Sequence, residues 1–281
     1  MVRVRYFAPS PILRDFVSSY YWIETDQPLL VDRVRAELGQ VRFIVAGALR
    51  HTYDDGRSVE CPRALLTGPT AEPVTTRVQG PFRLFGAGLM PAGWSALIGI
   101  AADELAHRAV DLGAVGGIHA DAVGAALRNA RDDAARIAIV DRFFIGLQEH
   151  ARPVPLWYTR LTDDWLTRTR NPQVDALMQQ TGMSARQVER WSNKHYGAPP
   201  KVLARKYRAL QAAMRLGTGE ARTWADAAAD AFYDQSHFIR EFKQFIGVTP
   251  ARFIADAAPA GRFALARAAL PSGMPKLALY S

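Results

Sequence analysis

Residues 232–253, with the sequence FYDQSHFIREFKQFIGVTPARF, constrain the fold more than any other part of the chain. Phe238, Phe242 and Phe245 recur at helical spacing, which predicts a short helix with one aromatic side. Three polar residues recur at the same spacing on the opposite side: Ser236, Arg240 and Lys243. Such a helix buries its aromatic stripe and exposes a cationic, hydrogen-bonding face. That combination is typical of a recognition helix that lies in a DNA major groove.

A related unit precedes this helix in the chain. Residues 173–200 and residues 223–250 both predict a helix, a tight turn, a second helix and then Gly-x-(Pro/Thr)-Pro. Ser184 and Asp234 are the N-cap candidates of the two second helices. A further helix is predicted at 201–216, between the units. Two recognition helices arranged in this way would fit successive major grooves, about 34 Å apart on one face of DNA.

In the first unit, three residues share the outward face of the second helix: Arg186, Glu189 and Arg190. Taken alone, this pattern is typical of a solvated helix with an Arg/Glu pair. The presence of the second unit favours base contact instead, because an arginine can donate two hydrogen bonds to guanine O6 and N7. Lys194 and Lys201 lie nearer the helix end and the next turn, where they suit phosphate contacts.

The signature DQSHFxREFKxFxGVTPxxF resembles the C-terminal helix-turn-helix domain of the AraC family of transcription regulators. The resemblance covers about residues 172–256, and in that family the outward residues of both second helices touch DNA. Where Ser192 stands the family usually has an aromatic, whose place we expect Trp191 to take. His237 could also pair with Glu241 one turn on. The resemblance and the outward faces together predict these DNA-binding residues: Arg186, Gln187, Glu189, Arg190, Lys194, Lys201, Gln235, Ser236, His237, Arg240 and Lys243.

The distribution of charge agrees with a polyanionic partner. The chain carries a net charge of +8, of which residues 1–170 hold +1, residues 171–256 hold +4 and the last 25 residues hold +3. All five lysines lie in the C-terminal third. A basic balance that coincides with the helix pattern indicates nucleic acid, here double-stranded DNA.

Composition and motif content disfavour other classes of protein. Cys61 is the one cysteine, which excludes an internal disulfide and a cysteine-based metal cluster. The six histidines include no His-x-His pair, so we predict neither a metal nor another cofactor. The sequence has no phosphate-binding glycine loop, no run of 18 apolar residues and no secretion signal at its start. We therefore expect no enzyme and no membrane partner, but a cytoplasmic, nucleoid-associated protein.

The N-terminal half predicts a different architecture. Residues 2–93 form short extended pieces between Gly/Pro turns, which is typical of a small antiparallel barrel or sandwich, interrupted by a helix at 11–21. Amphipathic helices follow at 122–131 and 134–148. They either form a dimer interface or close the β domain, and the sequence favours neither. The fold class predicted for the whole chain is α+β.

Three stretches of this half, LRDFVSSYYW, GPFRLFGAGLMPAGWSALIG and DELAHRAVDL, resemble the sensor domains of one AraC subgroup. Such domains are cupin-like β-folds used for effector binding or dimerisation. The resemblance implies an effector pocket, although each single aromatic is better explained as a core residue. The pocket candidates are Tyr21, Trp22, Phe43, Tyr53 and Phe85.

We therefore predict four segments: a sensor and dimerisation domain at 1–152, a linker at 153–170, a DNA-binding domain at 171–256 and a tail at 257–281 whose role is open. The predicted function is sequence-specific transcription regulation, controlled by a small-molecule effector or by dimerisation, with RNA polymerase as a partner if the protein is an activator. Two alternatives stay open. One is a cupin-like enzyme with a regulatory DNA domain, and the other is an architectural DNA binder without an effector.

Overall fold

An antiparallel sheet of eight strands forms the N-terminal part of the protein. The computed structural model describes residues 2–115, 118–228, 231–255 and 276–280. The strands run in the order β1-β2-β7-β4-β6-β8, while β3 also pairs with β7 and β5 with β4. Their bounds are β1 Val2–Phe7, β2 Val17–Thr25, β3 Leu29–Val34, β4 Gln40–Thr52, β5 Ser58–Glu60, β6 Ala64–Thr67, β7 Val74–Leu89 and β8 Ala109–Asp111.

The two long strands β4 and β7 pair along most of their length and carry the curvature of the sheet. Their register shifts twice between Ile44 and Ala48. Gly47 lies in this irregular stretch with φ of +79°, and a Cβ there would come within 2.4 Å of the Gln79 carbonyl oxygen. The bend therefore requires glycine, which has access to positive φ and has no side chain to clash.

Alternation along the strands gives the sheet two buried faces. On one face Trp22 lies opposite Phe85, and Phe85 opposite Phe43. On the other face Tyr21 lies opposite Gly86, and Gly86 opposite Arg42. The first row belongs to the core cluster that includes Phe144 of a later helix, and Tyr21 belongs to a separate cluster inside the curved sheet.

The prediction of a helix at 11–21 was wrong. Only Pro11–Leu13 form a single 3-10 turn, and β2 begins at Val17. Six consecutive residues from the start of β2 are buried, because this strand has the sheet interior on one face and helices on the other. A strand buried on both faces lacks polar alternation, so periodicity cannot distinguish it from a buried helix.

Helix α1 Pro91–Gly93, which continues into one π turn at Trp94–Ile98, lies between β7 and β8, while α2 Asp121–Asn129 and α3 Asp133–Glu149 follow β8. The latter two match the helices predicted at 122–131 and 134–148. The Phe144 ring of α3 stacks on Tyr20 with ring centroids 6.1 Å apart, and the Tyr20 hydroxyl donates to Asp141 at 2.8 Å. Of the two roles left open for these helices, closing the β domain is the one that these contacts show.

The described residues of the C-terminal part contain seven α-helices: α4 Leu156–Arg168, α5 Val174–Thr181, α6 Ala185–Tyr196, α7 Pro200–Gly217, α8 Trp224–Ala228, α9 Gln235–Ile246 and α10 Pro250–Ala255. The helix expected at 201–216 corresponds to α7, and Ser184 and Asp234 are the N-caps of α6 and α9. The antiparallel sheet and this helical part together confirm the predicted α+β class. No helix in the described part of the chain combines the length and the apolarity that a membrane crossing needs.

The segment 153–170, which we predicted as a linker, contains α4 and contributes to the core of the helical part. Tyr158, Trp165 and Leu166 are buried in the same cluster as residues of α5, α6 and α7. The Tyr158 hydroxyl lies 3.0 Å from Ser192 Oγ. An aromatic ring from α4 thus fills the space beside Ser192, and Trp191, expected to fill it, packs only half-buried against Tyr158.

Residues 276–280, at the end of the predicted tail, dock on both halves, whereas 257–275 and 281 lie outside the described residues. Lys276–Tyr280 form a 3-10 turn with Leu277 and Ala278 buried in the C-terminal cluster. The Tyr280 carbonyl accepts a hydrogen bond from Arg35 of the β domain at 2.8 Å. Of the roles left open for the tail, docking is the one that these residues show.

The aromatic stripe of α9 leads to a stability prediction. Phe242 is fully buried between Phe238 and Phe253, so Phe242→Ala should lower the free energy of unfolding by about 3–5 kcal/mol. The exposed Arg240 lies on the opposite face, and Arg240→Ala should change stability by less than about 0.5 kcal/mol. Urea unfolding followed by circular dichroism measures both, and equal losses would contradict the assigned faces.

Candidate nucleic-acid interface

Helix α6 is capped at both ends and has one buried and one exposed face. The Ser184 hydroxyl accepts from the Gln187 backbone N–H at 3.4 Å, and the Gln187 side-chain oxygen accepts from the Ser184 N–H at 2.9 Å. This reciprocal capping box starts the helix, and Gly197 ends it with φ of +77°. The outward residues of α6 are exposed: Arg186, Glu189, Arg190 and Lys194.

Gln187 is exposed, but its side-chain carbonyl oxygen already accepts hydrogen bonds within the protein. Its Oε1 accepts from both the Ser184 backbone N–H and the Ser184 hydroxyl, the latter at 2.8 Å. Gln187 can therefore meet DNA only through its amide N–H groups, unless the cap opens.

Helix α9 repeats this construction. Asp234 Oδ1 accepts from the His237 N–H at 2.7 Å, and Gly247 ends the helix with φ of +93°. The predicted aromatic stripe of Phe238, Phe242 and Phe245 has no exposed surface. Four predicted contact residues are exposed on the other side: Gln235, Ser236, Arg240 and Lys243.

His237 has both ring nitrogens engaged inside the protein. Its Nδ1 accepts from the Tyr233 backbone N–H at 3.3 Å, and its Nε2 lies 3.1 Å from Glu241 Oε1. An Nδ1 that accepts places the proton of a neutral ring on Nε2, which then donates to Glu241. The pairing with Glu241 that we considered from the sequence is therefore present.

Glu241 connects α9 to α7 through two arginines. Arg205 Nε donates to Oε1 and Arg208 Nη2 donates to Oε2, both at 2.6 Å, and the carboxylate is almost fully buried. Burial alone would raise the pKa of the Glu241 carboxyl. The hydrogen bonds from Arg205 and Arg208 and the charge of Arg208 outweigh burial, so the pKa lies below its ordinary value. The ionised carboxylate thus holds α9 against α7.

Six exposed cations on α6, α7 and α9 have no carboxylate partner among the described residues. Within residues 2–115, 118–228, 231–255 and 276–280, no salt bridge or side-chain hydrogen bond occurs for Arg186, Arg190, Lys194, Lys201, Arg240 or Lys243. Unneutralised cations on two exposed helix faces produce a positive surface that attracts phosphate.

One exposed aromatic was missed from the sequence. Tyr233 directly precedes the N-cap of α9, and 93% of it is exposed, more than any other large hydrophobic residue in the described ranges. The aromatic residues around it belong to the core stripe, so composition offered no signal. The feature that distinguishes Tyr233 from the stripe is its position just before the helix N-cap.

The C-terminal ends of both exposed helices bond to the β domain. At α6, the Lys194 carbonyl accepts from the Ala102 N–H at 2.8 Å, and His195 Nδ1 lies 2.6 Å from Ser95 Oγ. Burial, with the charge of Lys194, lowers the pKa of His195 to about 4, so the neutral ring can accept the Ser95 proton. At α9, the Phe245 carbonyl accepts from the Ala36 N–H at 2.9 Å.

Ala36 belongs to a connecting segment, residues 35–38, that lies between the two halves. Ala36 packs against Ala209 of α7 and Phe245 of α9, and Leu38 is part of the C-terminal core cluster. Lys206 of α7 donates from Nζ to the Glu37 carbonyl and to the Thr70 carbonyl, at 2.7 Å each. The backbone of this segment is therefore bonded to the helices that carry the exposed cations.

The other side of the connecting segment faces a cavity of about 110 Å³ inside the curved sheet. Its apolar wall includes Leu30, Leu49, Val78, Phe82 and Leu84. Its polar lining comprises Asp32, Arg35, Glu37, Arg42, His51 and Thr76. Arg42 Nη2 donates to Glu37 Oε2 at 2.5 Å, and Arg42 Nε donates to the Tyr21 hydroxyl at 2.8 Å.

Most of the residues predicted for an effector pocket do not line this cavity. Tyr21 does, but Trp22, Phe43 and Phe85 lie on the opposite face of the sheet, in the core beneath α3. Neighbours on a strand point to opposite faces, so Tyr21 and Trp22 cannot share one pocket. Tyr53 is buried beside His51 without lining the cavity. Within the described ranges, no group of three or more His, Cys, Asp and Glu residues could hold a metal ion.

Comparison with known proteins agrees with this architecture. Residues 177–256 match the family model of a helix-turn-helix domain, and residues 5–111 match a domain of unknown function, DUF6597. No curated protein matches the sequence significantly.

Among solved structures, ToxT from Vibrio cholerae is similar at 10% identity, over 90% of this chain and 98% of that chain, with a TM-score of 0.48. ToxT bound to (E)-4-(8-methylnaphthalen-1-yl)but-3-enoic acid is similar at 9% identity, over 92% and 99%, with a TM-score of 0.48. The AraC-like transcriptional activator CuxR is similar at 14% identity, over 75% and 86%, with a TM-score of 0.34.

The fold and the two capped helices define a DNA-binding transcription regulator with a helix-turn-helix domain. The signature in α9, the paired helical units and the match over residues 177–256 show a C-terminal helix-turn-helix domain of the AraC type.

The buried Lys206 leads to a pH prediction. Burial, with the charge of Arg35, lowers the pKa of Lys206 to about 7, compared with 10.5 for a free lysine. Between these values the unfolded chain holds more protons, so this group makes the free energy of unfolding rise with pH from about 7 upward. Below pH 7 both states are protonated and the contribution is constant.

Lys206→Met removes this titration. We expect the difference in unfolding free energy between the wild type and Lys206→Met to grow in favour of the wild type between pH 7 and pH 9.5. Urea unfolding at several pH values measures it. Parallel pH profiles for the two proteins would show that Lys206 keeps an ordinary pKa.

Proposed function

We propose that α6 and α9 enter successive major grooves of double-stranded DNA. Base contacts are assigned to Arg186, Arg190, Gln235 and Arg240, with Glu189 and Ser236 as additional polar contacts. Lys194, Lys201 and Lys243 contact phosphates and set the register. The observation that carries this proposal is the unpaired, exposed cationic face at equivalent positions of two helices that each begin at a side-chain N-cap and end at a glycine with positive φ.

Two residues of the predicted set have secondary roles in this proposal. Gln187 and His237 shape the N-terminal turns of α6 and α9, through the capping box and through Glu241. Their loss should change DNA affinity mainly through helix geometry. Tyr233 joins the set, since an exposed aromatic next to a recognition helix can contact sugar and phosphate.

The test uses an operator selected from a random DNA pool and a fluorescence anisotropy titration. Arg186→Ala and Arg240→Ala should each weaken specific binding by about 1–3 kcal/mol and relax the preference at one base position. Lys201→Ala should weaken binding to all sequences alike and reduce the salt slope by about one. Arg128→Ala, an exposed arginine on α2, makes the same charge change in the β domain and should have no effect. Arginine variants that keep wild-type specificity would overturn the assignment.

We further propose that the β domain regulates DNA binding through the connecting segment. Arg35 and Glu37 line the cavity, while Ala36 and Leu38 pack against the helical half. A molecule that displaces Arg35 or Glu37 would strain the backbone bonded to Lys206 and Phe245. Occupancy of the cavity would then shift the population of molecules whose helices fit DNA.

In this proposal the protein acts without catalysis. Cys61 is half-buried, and burial raises the pKa of its thiol to about 11, which makes it a poor nucleophile at neutral pH. Self-association and contact with RNA polymerase stay predictions that follow from the family, as does a location at the nucleoid.

A further inference from the structure

Two residues that line the cavity of the β domain each carry a buried polar atom without a hydrogen-bond partner among the described residues. The atoms are His51 Nδ1 and Thr76 Oγ1. His51 is only 3% exposed. The two residues lie directly opposite each other on β4 and β7, so their side chains point to the same interior. Buried polar groups are nearly always paired, so these two atoms offer hydrogen bonds to a molecule that enters the cavity.

The charged groups around the cavity already balance one another. Arg42 is hydrogen-bonded to Glu37 and to the Tyr21 hydroxyl, and Asp32 and Arg35 add one charge of each sign. His51 is neutral, because burial and the neighbouring Arg42 lower its pKa to about 3. The lining therefore has no net charge. An ionic ligand would lose its hydration on entering the cavity, and no opposite net charge would offset that free-energy cost.

We propose that this cavity binds a small neutral molecule with an apolar, preferably aromatic, body and a single hydroxyl that bonds to His51 and Thr76. A hydroxyl both donates and accepts, so it can satisfy the two atoms at once. Tyr6, Leu49 and Phe82 surround the apolar body. At about 110 Å³ the cavity is somewhat smaller than the roughly 150 Å³ cavity that holds benzene, which limits the body to one ring.

The proposed ligand site is the cavity to which the proposed function assigns regulation, and the inference rests on that function only in this respect. Ligand binding to the cavity can be tested without DNA. The probes are phenol, toluene and benzoate, titrated against the full chain by ligand-detected NMR. Phenol should bind, toluene should bind several-fold more weakly, and benzoate should not bind. Equal binding of phenol and toluene, preferred binding of benzoate, or no binding of any probe would overturn the proposal.

Two matched variants locate the hydroxyl. Thr76→Val keeps the side-chain shape and removes the hydroxyl, so it should weaken phenol binding about 3- to 10-fold and leave toluene binding unchanged. Thr75→Val makes the same change on the adjacent residue, whose side chain points to the other face of β7, and should affect neither probe. Retained toluene binding shows that the variants are folded. Equal effects of Thr75→Val and Thr76→Val would overturn the assignment.

DNA affinity measured in the same samples separates this inference from the proposed function. Phenol that binds with the expected selectivity but leaves operator affinity unchanged would support the ligand site and contradict control through the connecting segment. Operator binding that survives Arg186→Ala and Arg240→Ala would contradict the assigned base readers without affecting the phenol result.

Discussion

The backbone of the connecting segment, residues 35–38, is the constraint on which the arrangement of the two halves depends. Alternate residues of this segment lie on opposite sides: Ala36 and Leu38 are buried against the helices, while Arg35 and Glu37 line the cavity. The polar groups that this packing buries must be satisfied. The Ala36 N–H donates a hydrogen bond to the Phe245 carbonyl, and the Glu37 carbonyl accepts one from Lys206 Nζ. These hydrogen bonds connect the β domain to the C-terminal end of α9 and to α7.

The two exposed helices obtain their orientation from contacts at their unexposed ends. Lys194 and His195 of α6 bond to Ala102 and Ser95, which lie between β7 and β8, and Glu241 of α9 is held by Arg205 and Arg208 of α7. The side chains of the exposed cations take no part in these contacts. Under the proposed function, substitution of these side chains would change DNA binding without loss of the fold.

Much of the helical half could be predicted from the sequence because its signals are local. The aromatic spacing of α9, the N-caps Ser184 and Asp234, and the exposed arginines all follow from helical periodicity and capping rules. The cavity could not be predicted in this way. Trp22, Phe43 and Phe85 belong to one face of the sheet and Tyr21 to the other, which is known only once the register of β2, β4 and β7 is known.

The sequence by itself determined the two capped helices α6 and α9, their exposed cations and the AraC-type helix-turn-helix domain, since each depends on residues within a few turns of one another. The tertiary structure alone decided which strand face borders a cavity, that α4 and not Trp191 fills the space at Ser192, and that Lys206 lies between the halves instead of on the DNA surface. These features join residues far apart in the chain, such as Lys206 and Glu37. Their contacts arise from burial and from the need to satisfy buried polar groups, which no local pattern records.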